Sequence, residues 1–384
     1  MDLLERTTPP FFTEEHLAFQ DMLRKFVETE IEPFAAEWDE AESFPRELYK
    51  KAADIGLLGI GFPEEYGGVE GDLYYGLIGS EELSRAGAGG ISASLMSHTI
   101  GAPPIKNVGT EEQKQKYLPK ILSGEWISAL AITEPSGGSD VANLKTTAVR
   151  DGDHYVVNGS KTFITSGMRA DIYTVAVRTG DPGMGGISLL LIERDTPGFE
   201  RTPLKKMGWW ASDTATLYFD NCRVPVENLL GVENMGFPAI MLNFNYERLW
   251  LAAGCVSFAR ACFNEVVAYA KERMVFGKPL SEKQVVRHRF VDMAQRINAT
   301  QAYLDQVAWR LEQGEQPVAD ICMLKNQATE TMEFCAREGV QIMGGAGFMR
   351  GPKVERIYRE VRVNAIGGGS EEIMRDLAAR QYGV

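Results

Sequence analysis

Cysteine is scarce in this chain of 384 residues, and long uninterrupted apolar runs are absent. The five cysteines form no CxxC pair, and their odd number favours structural thiols in a reducing compartment over a disulfide framework. The first sixteen residues, MDLLERTTPPFFTEEH, lack both the basic start and the apolar core of a secretory signal. Because no apolar run approaches membrane length, we expect no membrane insertion and a cytoplasmic location.

Basic clusters, metal-ligand spacings and a hydrolase signature are also absent. The formal net charge is −13 and no basic cluster stands out, so we expect no nucleic-acid partner. The four histidines have no metal-ligand spacing with cysteines or carboxylates, so no metal is assigned. A serine hydrolase is excluded because there is no GxSxG motif, and Gly345, Gly347 and Gly351 are wrongly spaced for a dinucleotide fingerprint.

Helix and strand signals divide the chain into three parts. With 44% apolar and 24% charged residues, a chain of this length is expected to form two or three packed sub-domains. Helical spacing covers residues 1–125, with Thr13 as a predicted N-cap; short β-rich runs occupy 126–232; and helical spacing returns over 233–384. The predicted helices cover residues 45–55, 72–85, 111–122, 238–273, 281–312, 317–343 and 371–381.

Two segments of the middle part indicate a ligand site. In AITEPSGGSD, from Ala131 to Asp140, an apolar run turns abruptly into hydroxyls, glycines and a proline, which is typical of a strand end that presents donors to a ligand. The second segment, GSKTFITSG, follows at a distance suited to a neighbouring strand, where Phe163 can cover a flat group and Thr165 can hydrogen-bond it. One such loop alone is more often an ordinary glycine-rich turn, but the pair favours a site.

Three later segments complete a pattern of five motifs. They are RMVFGKPL, QIMGGAGF and IYREVRVNAIGGGSEEIMR, which begin at Arg273, Gln341 and Ile357. Together with the first two segments, and in this order, they resemble the acyl-CoA dehydrogenase family. The resemblance implies an α+β fold with an N-terminal helical domain, a β-barrel-like middle domain and a C-terminal four-helix bundle.

The resemblance also implies an FAD site. It places Thr133 at the pyrimidine side of the flavin, Phe163 over the ring, Thr165 near the reactive nitrogen, and Ser139 between the cofactor and the acyl-CoA. Further cofactor contacts are expected from Leu130, Ile132, Gly138, Arg273, Phe276, Gln284, Gln341, Gly344, Gly345, Ser370 and Glu372. The planar fork of an arginine suits a pyrophosphate, although a lone Arg273 would be interpreted as an ordinary helix-ending residue. In the family, the Arg273 and Gln341 segments reach the cofactor of a neighbouring subunit, which implies a homo-oligomer and, we expect, a tetramer.

The catalytic base departs from the commonest family pattern. Many members carry a glutamate directly before the glycine matched by Gly369, whereas this chain has Gly368 there. We predict that Glu247 replaces it, because its helical neighbours at three and four positions are mostly apolar, and desolvation would raise its pKa. From helix position alone, a Glu247 paired with Arg248 or with a neighbouring helix is an equal alternative. The segment from Glu247 to Leu249 also resembles the base segment of isovaleryl-CoA and long-chain acyl-CoA dehydrogenases, and the base placement is compatible with citronellyl-type enzymes.

The implied reaction is the α,β-dehydrogenation of an acyl-CoA thioester to the trans-2-enoyl-CoA. The resemblance implies that Glu247 accepts the proton and that FAD accepts the hydride. It also implies that the backbone N–H of Gly368 polarises the thioester oxygen. Substrate contacts are expected from Ser139, Asn245, Arg248 and Gly369, and electrons from the reduced cofactor are expected to pass to an electron-transferring flavoprotein. An acyl-CoA oxidase or nitroalkane oxidase is an alternative, opposed mildly by the single short C-terminal helical domain. A non-catalytic flavin-binding assembly subunit is another, opposed by Glu247.

Overall fold

The N-terminal domain begins with a capped helix. The computed structural model describes residues 4–384, apart from the side chains of Leu242 and Asn243. Thr13 accepts from the backbone N–H of His16 and His16 accepts from that of Thr13, so the predicted N-cap is confirmed as a capping box. The helices of this domain are α1 Glu14–Phe26, α2 Ala35–Glu40, α3 Glu47–Asp54, α4 Leu73–Ser84, α5 Gly89–Leu95, α6 His98–Gly101, α7 Pro103–Val108 and α8 Glu111–Leu122.

The middle domain is a sheet of eight strands. These are β1 Ser128–Ala131, β2 Thr147–Asp151, β3 His154–Thr165, β4 Ile172–Arg178, β5 Ile187–Glu193, β6 Phe199–Pro203, β7 Thr214–Pro225 and β8 Leu229–Leu230. Seven of them follow the order β6-β7-β3-β2-β4-β5-β8, while β1 pairs in parallel with β4. The middle β-domain is therefore confirmed, although the hydrogen-bonded order has two ends, at β6 and β8. Strands β4 and β5 are almost continuously apolar because both of their faces are buried.

The C-terminal domain is helical, as predicted. It contains α9 Gly236–Glu272, a hairpin of β9 Met274–Val275 and β10 Lys278–Pro279, and then α10 Gln284–Glu312, α11 Val318–Met343, α12 Gly345–Phe348, α13 Lys353–Ile366 and α14 Glu371–Tyr382. Helix α13 was not among the predicted helices. Its buried residues Val354, Ile357, Val361 and Ala365 recur three and four positions apart, which is the signal of an amphipathic helix.

Helix α9 is the central helix of this domain. By length and composition alone it could cross a membrane, although its apolar run is interrupted by polar residues, and 67% of its most apolar window is buried inside the protein. Leu249, Ala252 and Val256 are fully buried in a core shared with α4 and α11. The apolar character of α9 thus reflects its packing. The five cysteines are free and buried, as predicted for structural thiols.

Candidate active site

The two glycine-rich segments of the middle domain lie side by side. The Thr162 N–H donates to the Thr133 carbonyl at 2.8 Å, which brings Thr133 beside Phe163. The pairing of β3 with β7 shifts register between Lys161 and Ile164, and Phe163 has a left-handed φ of +61°. Such a bulge redirects a side chain out of the regular sheet pattern, and the Phe163 ring is 69% exposed. A flat apolar ring and Thr133 therefore lie together near the end of β3.

A buried ion pair between Lys161 and Glu134 joins these two segments. The Lys161 ammonium donates to the Ile132 carbonyl at 3.0 Å and to the Glu134 carboxylate at 2.8 Å. Glu134 also accepts from the backbone N–H groups of Lys145 and Thr146. Burial alone would raise the pKa of Glu134, but Lys161 and these donors lower it to about 2. Burial lowers the pKa of Lys161 to about 8, so both groups are charged at neutral pH.

The other predicted contacts on these strands differ in exposure. Gly138 and Ser139 lie on an exposed turn, where a Cβ added to Gly138 would meet only Thr133 Cγ2, at 3.5 Å. Thr165 is half-buried and pairs with Thr214 at the end of β3. Leu130 is half-buried and Ile132 is buried. The surface has an open turn beside an aromatic ring, which fits a flat heterocycle with polar edges.

A second group of predicted residues meets at one end of the helical domain. The Tyr269 hydroxyl, one turn before Arg273, donates to the Met343 carbonyl at 3.4 Å, so the end of α9 lies beside the end of α11. The side chains of Arg273, Gln284 and Gln341 are exposed, and the Phe276 ring is 94% exposed. No neighbour lies within 4 Å of a Cβ added to Gly344 or Gly345. Among the residues that the structure describes, no hydrogen bond or ion pair joins this group to Thr133 or Phe163.

The predicted base and the glycine loop border the same face of α9. Arg248 Nε donates to the Gly368 carbonyl at 3.0 Å. A Cβ added to Gly368, whose φ is +68°, would lie 3.6 Å from Leu251 Cδ1 and 4.0 Å from Arg248 Cγ. Leu251 follows Glu247 by one helical turn and so shares its face. The two positions at which the family carries its base are therefore neighbours in this chain.

The environment of Glu247 suits a base. Its side chain is half-buried, and desolvation raises its pKa to about 7, an effect that Arg248 opposes. Arg248 itself donates to the Gly368 carbonyl and, at 3.5 Å, to Asn245 Oδ1. In the described part of the chain, no ion pair joins Arg248 to Glu247, which favours the base over the structural alternative.

Ser370 and Glu372 follow the loop at the start of α14. The Ser370 hydroxyl accepts from the Ile373 N–H at 3.4 Å, so this serine caps the helix. Glu372 is exposed in the first turn, where its own backbone N–H and the Ser370 hydroxyl lower its pKa. Both residues lie next to the loop, and their predicted approach to the flavin stays a prediction.

Three charged residues near the site were missed by sequence reasoning. Glu134 and Lys161 lie inside the two segments that were singled out, and Lys325 lies in the apolar run ICMLK of α11. All three are buried. A charge within an apolar stretch was the available signal, because charged side chains are rarely buried without a partner or a task.

Comparison with known proteins shows the family. Models of the N-terminal, middle and C-terminal domains of acyl-CoA dehydrogenase match residues 13–125, 129–222 and 234–383. An acyl-CoA dehydrogenase of Bacillus subtilis is 39% identical, with 94% of this chain and 96% of the relative covered. The mitochondrial long-chain specific acyl-CoA dehydrogenase of Sus scrofa is 38% identical, with 96% and 87% covered. The solved acyl-CoA dehydrogenase of Geobacillus kaustophilus is 41% identical, has a TM-score of 0.93, and matches over 98% of this chain and 100% of its own.

The three-domain fold and its glycine-rich strands are those of a flavin-dependent oxidoreductase. The chain belongs to the acyl-CoA dehydrogenase family. A glutaryl-CoA dehydrogenase of Mycobacterium smegmatis, 27% identical with a TM-score of 0.91 and 97% and 95% covered, was solved in complex with FADH2. The predicted family, fold, enzyme class and FAD cofactor are thus confirmed. The exposed Phe163 ring, the adjacent Thr133 and the open turn at Gly138 fit such a cofactor.

Proposed function

We propose that the chain dehydrogenates an acyl-CoA thioester to the trans-2-enoyl-CoA and passes the electrons to an electron-transferring flavoprotein. The observation that carries this proposal is that Arg248 and Leu251, on the same stretch of α9 as Glu247, contact the glycine loop at Gly368. A carboxyl group with a pKa of about 7 borders a loop whose backbone can donate to a thioester oxygen.

The proposed chemistry removes two hydrogens from adjacent carbons. The Glu247 carboxylate takes the α-hydrogen as a proton, and the electron pair of that C–H bond becomes the new C=C bond. The β-hydrogen leaves with its electron pair, and FAD, when bound, supplies the acceptor for this hydride. Negative charge grows on the thioester oxygen as the α-proton leaves, and the Gly368 N–H would stabilise it. Asn245, Arg248, Gly369 and Ser139 would hold the CoA-bearing part of the substrate.

We further propose that each flavin site uses two subunits of a homo-oligomer. Thr133, Ser139, Phe163 and Thr165 would face the isoalloxazine in one subunit. The second group, namely Arg273, Phe276, Gln284, Gln341, Gly344 and Gly345, would contact the phosphates and adenosine of the partner's cofactor. Support comes from the exposure of this second group and from the absence, among the described residues, of a hydrogen bond or ion pair between it and Thr133 or Phe163. The guanidinium fork of Arg273 matches the pyrophosphate.

Anaerobic addition of an acyl-CoA thioester is expected to bleach the visible absorbance of the bound flavin. Reoxidation should then be fast with an electron-transferring flavoprotein and should form no peroxide in air. Stoichiometric peroxide would indicate the oxidase alternative, and an unchanged spectrum with every thioester would indicate a non-catalytic subunit. A panel of short, long and branched thioesters, scored by the rate of bleaching, also identifies the preferred acyl chain.

The rate of flavin reduction is expected to rise with pH through a midpoint of about 7. Only ionised Glu247 can accept the α-proton, and its pKa is raised to about 7, so the rate at pH 6 should be about a tenth of the plateau. Stopped-flow reduction at saturating substrate measures this profile, and a deuterium isotope effect from an α-deuterated substrate verifies that proton removal is being observed. A flat profile across this range would contradict the role of Glu247.

A further inference from the structure

The loop between α13 and α14 has no side chains that could stabilise its conformation. It consists of Gly367, Gly368 and Gly369, and the last two have left-handed φ values of +68° and +110°. Glycine has the largest conformational freedom of all residues. A loop of this composition can present a donor at a defined point only if other elements hold it.

Two cations and one helix end hold this loop. The Gly367 N–H donates to the Val363 carbonyl at 2.7 Å, which closes α13. Arg248 Nε donates to the Gly368 carbonyl at 3.0 Å, and Lys325 Nζ donates to the Gly369 carbonyl at 2.7 Å. Because each peptide group is planar, fixing its carbonyl also fixes the N–H on its opposite side. The peptide group before Gly367 is therefore fixed by Val363, and the peptide group after Gly368 is fixed by Arg248. The peptide group that carries the Gly368 N–H lies between these two.

The group left between them is the Gly368 N–H. Among the described residues, the N–H groups of Gly368, Gly369 and Ser370 have no protein acceptor, and of these the Gly368 N–H lies between two held peptide groups. It is the donor that the proposed function assigns to the thioester oxygen. The Gly368 N–H is thus a free donor in a segment whose neighbouring peptides are held in place.

Lys325 makes an unusual contact for a buried lysine. Its side chain is 0% exposed, and within the described part of the chain it forms no ion pair with a carboxylate. Its hydrogen-bond partner is the Gly369 carbonyl. Burial lowers its pKa to about 8, so it remains charged at neutral pH. Burying a charge that contacts a neutral carbonyl rather than a carboxylate is costly, even with Glu371 near enough to raise the pKa of Lys325, which points to a task rather than to packing.

We infer that Lys325 is a positioning residue for catalysis. By holding the Gly369 carbonyl, it fixes the glycine loop so that the Gly368 N–H meets the thioester oxygen as the α-proton leaves. This inference rests on the proposed dehydrogenation.

The test uses an acyl-CoA analogue whose β-carbon is replaced by sulfur, because such a compound can lose the α-proton but cannot give up a β-hydride. Exchange of its α-hydrogen with deuterated water, followed by NMR on the holoenzyme, measures proton removal alone. Lys325→Met should slow this exchange by about 10- to 100-fold, and slow flavin reduction by a true substrate equally. The dissociation constant of the analogue should change by less than about threefold, as expected if ground-state binding is retained. Lys325→Arg, which keeps a donor, should exchange faster than Lys325→Met.

Asn326→Leu is the matched control. Asn326 is the next residue of α11, is buried, and donates to the Glu371 carbonyl at 2.9 Å, beyond the glycine loop. This variant should lose thermal stability to an extent similar to that of Lys325→Met but exchange the α-hydrogen at the wild-type rate. Equal exchange rates in the two variants would overturn the inference.

A measurement on the unmodified enzyme covers the case in which Lys325→Met does not fold. Binding of the same thioester analogue to the holoenzyme should slow amide hydrogen exchange in the segment 367–370, because the Gly368 N–H then gains an acceptor, and an unchanged exchange rate there would also overturn the inference. If the wild-type enzyme neither exchanges the α-hydrogen nor bleaches with thioesters, the proposed function fails instead.

Discussion

Glu247→Gln is expected to lower the rate of flavin reduction by acyl-CoA by about 10³-fold or more, while FAD stays bound. A positioned general base contributes about 10²- to 10⁴-fold, and glutamine has the same shape but cannot accept a proton. The Gly368 loop and the flavin-facing strands lie outside the substituted side chain, so the flavin spectrum should not change. Stopped-flow absorbance gives the rate, and the ratio of flavin to protein absorbance gives the cofactor content.

Glu272→Gln is the control for this variant. Glu272 is the exposed last residue of α9, so the same chemical change is made on the same helix away from the site. A Glu247→Gln enzyme that reduces its flavin at a rate close to that of Glu272→Gln would remove Glu247 from the mechanism.

The double variant Glu247→Gln with Gly368→Glu provides a second test of the role of Glu247. A Cβ at position 368 meets only ordinary contacts, although the left-handed φ costs a non-glycine residue about 1–2 kcal/mol. Moving the carboxylate to this neighbouring position should restore part of the lost rate if both positions face one α-carbon.

Lys161→Met is expected to destabilise the middle domain by about 3–5 kcal/mol and to release FAD. Removing one partner of a buried ion pair leaves the other charge uncompensated, which costs about this much. The Glu134 carboxylate would lose its buried counterion, and the Ile132 carbonyl would lose a donor. Because this pair joins the two segments that carry Thr133 and Phe163, the flavin-facing surface should loosen with it. Thermal unfolding and the FAD retained after gel filtration measure the two effects.

Lys145→Met is the matched control for this effect. The Lys145 backbone N–H donates to the same carboxylate, but its side chain is exposed. This variant removes an equal charge without touching the pair, and surface substitutions of this kind usually change stability by about 0.5 kcal/mol or less. Equal melting temperatures in the two lysine variants would show that the buried pair contributes nothing to the domain.

Sequence reasoning succeeded where the signal was local. Helix α8 was predicted with its observed bounds because a capping residue and regular apolar spacing define it within twelve residues. Glu247 was selected because its immediate neighbours are apolar, and burial does raise its pKa. The glycine-rich segments were recognised because their composition changes abruptly within a few positions.

The features that were missed depend on residues far apart in the chain. The contact of Lys325 with Gly369 joins positions 44 apart, and the pair of Lys161 with Glu134 joins positions 27 apart. Neither contact can be deduced from spacing, because it arises only when separate elements pack together. Helix α13 was missed although its apolar residues recur at helical spacing, and its buried face also carries the charged residues Arg356 and Glu360. The domain boundaries at 125 and 232 and the cytoplasmic location stay predictions.

Helix α9 has a consequence for how neighbouring active sites are arranged. Glu247 lies on α9 and Arg273 directly follows its last residue, 26 positions later. At 1.5 Å per residue this separation is about 39 Å, which is longer than the reach of one cofactor from its ring to its phosphates. Under the proposed function, the length of α9 determines the distance between the base of one catalytic centre and the phosphate-binding arginine of the next. If α9 were one turn shorter or longer, Glu247 and Arg273 could no longer both reach their respective sites.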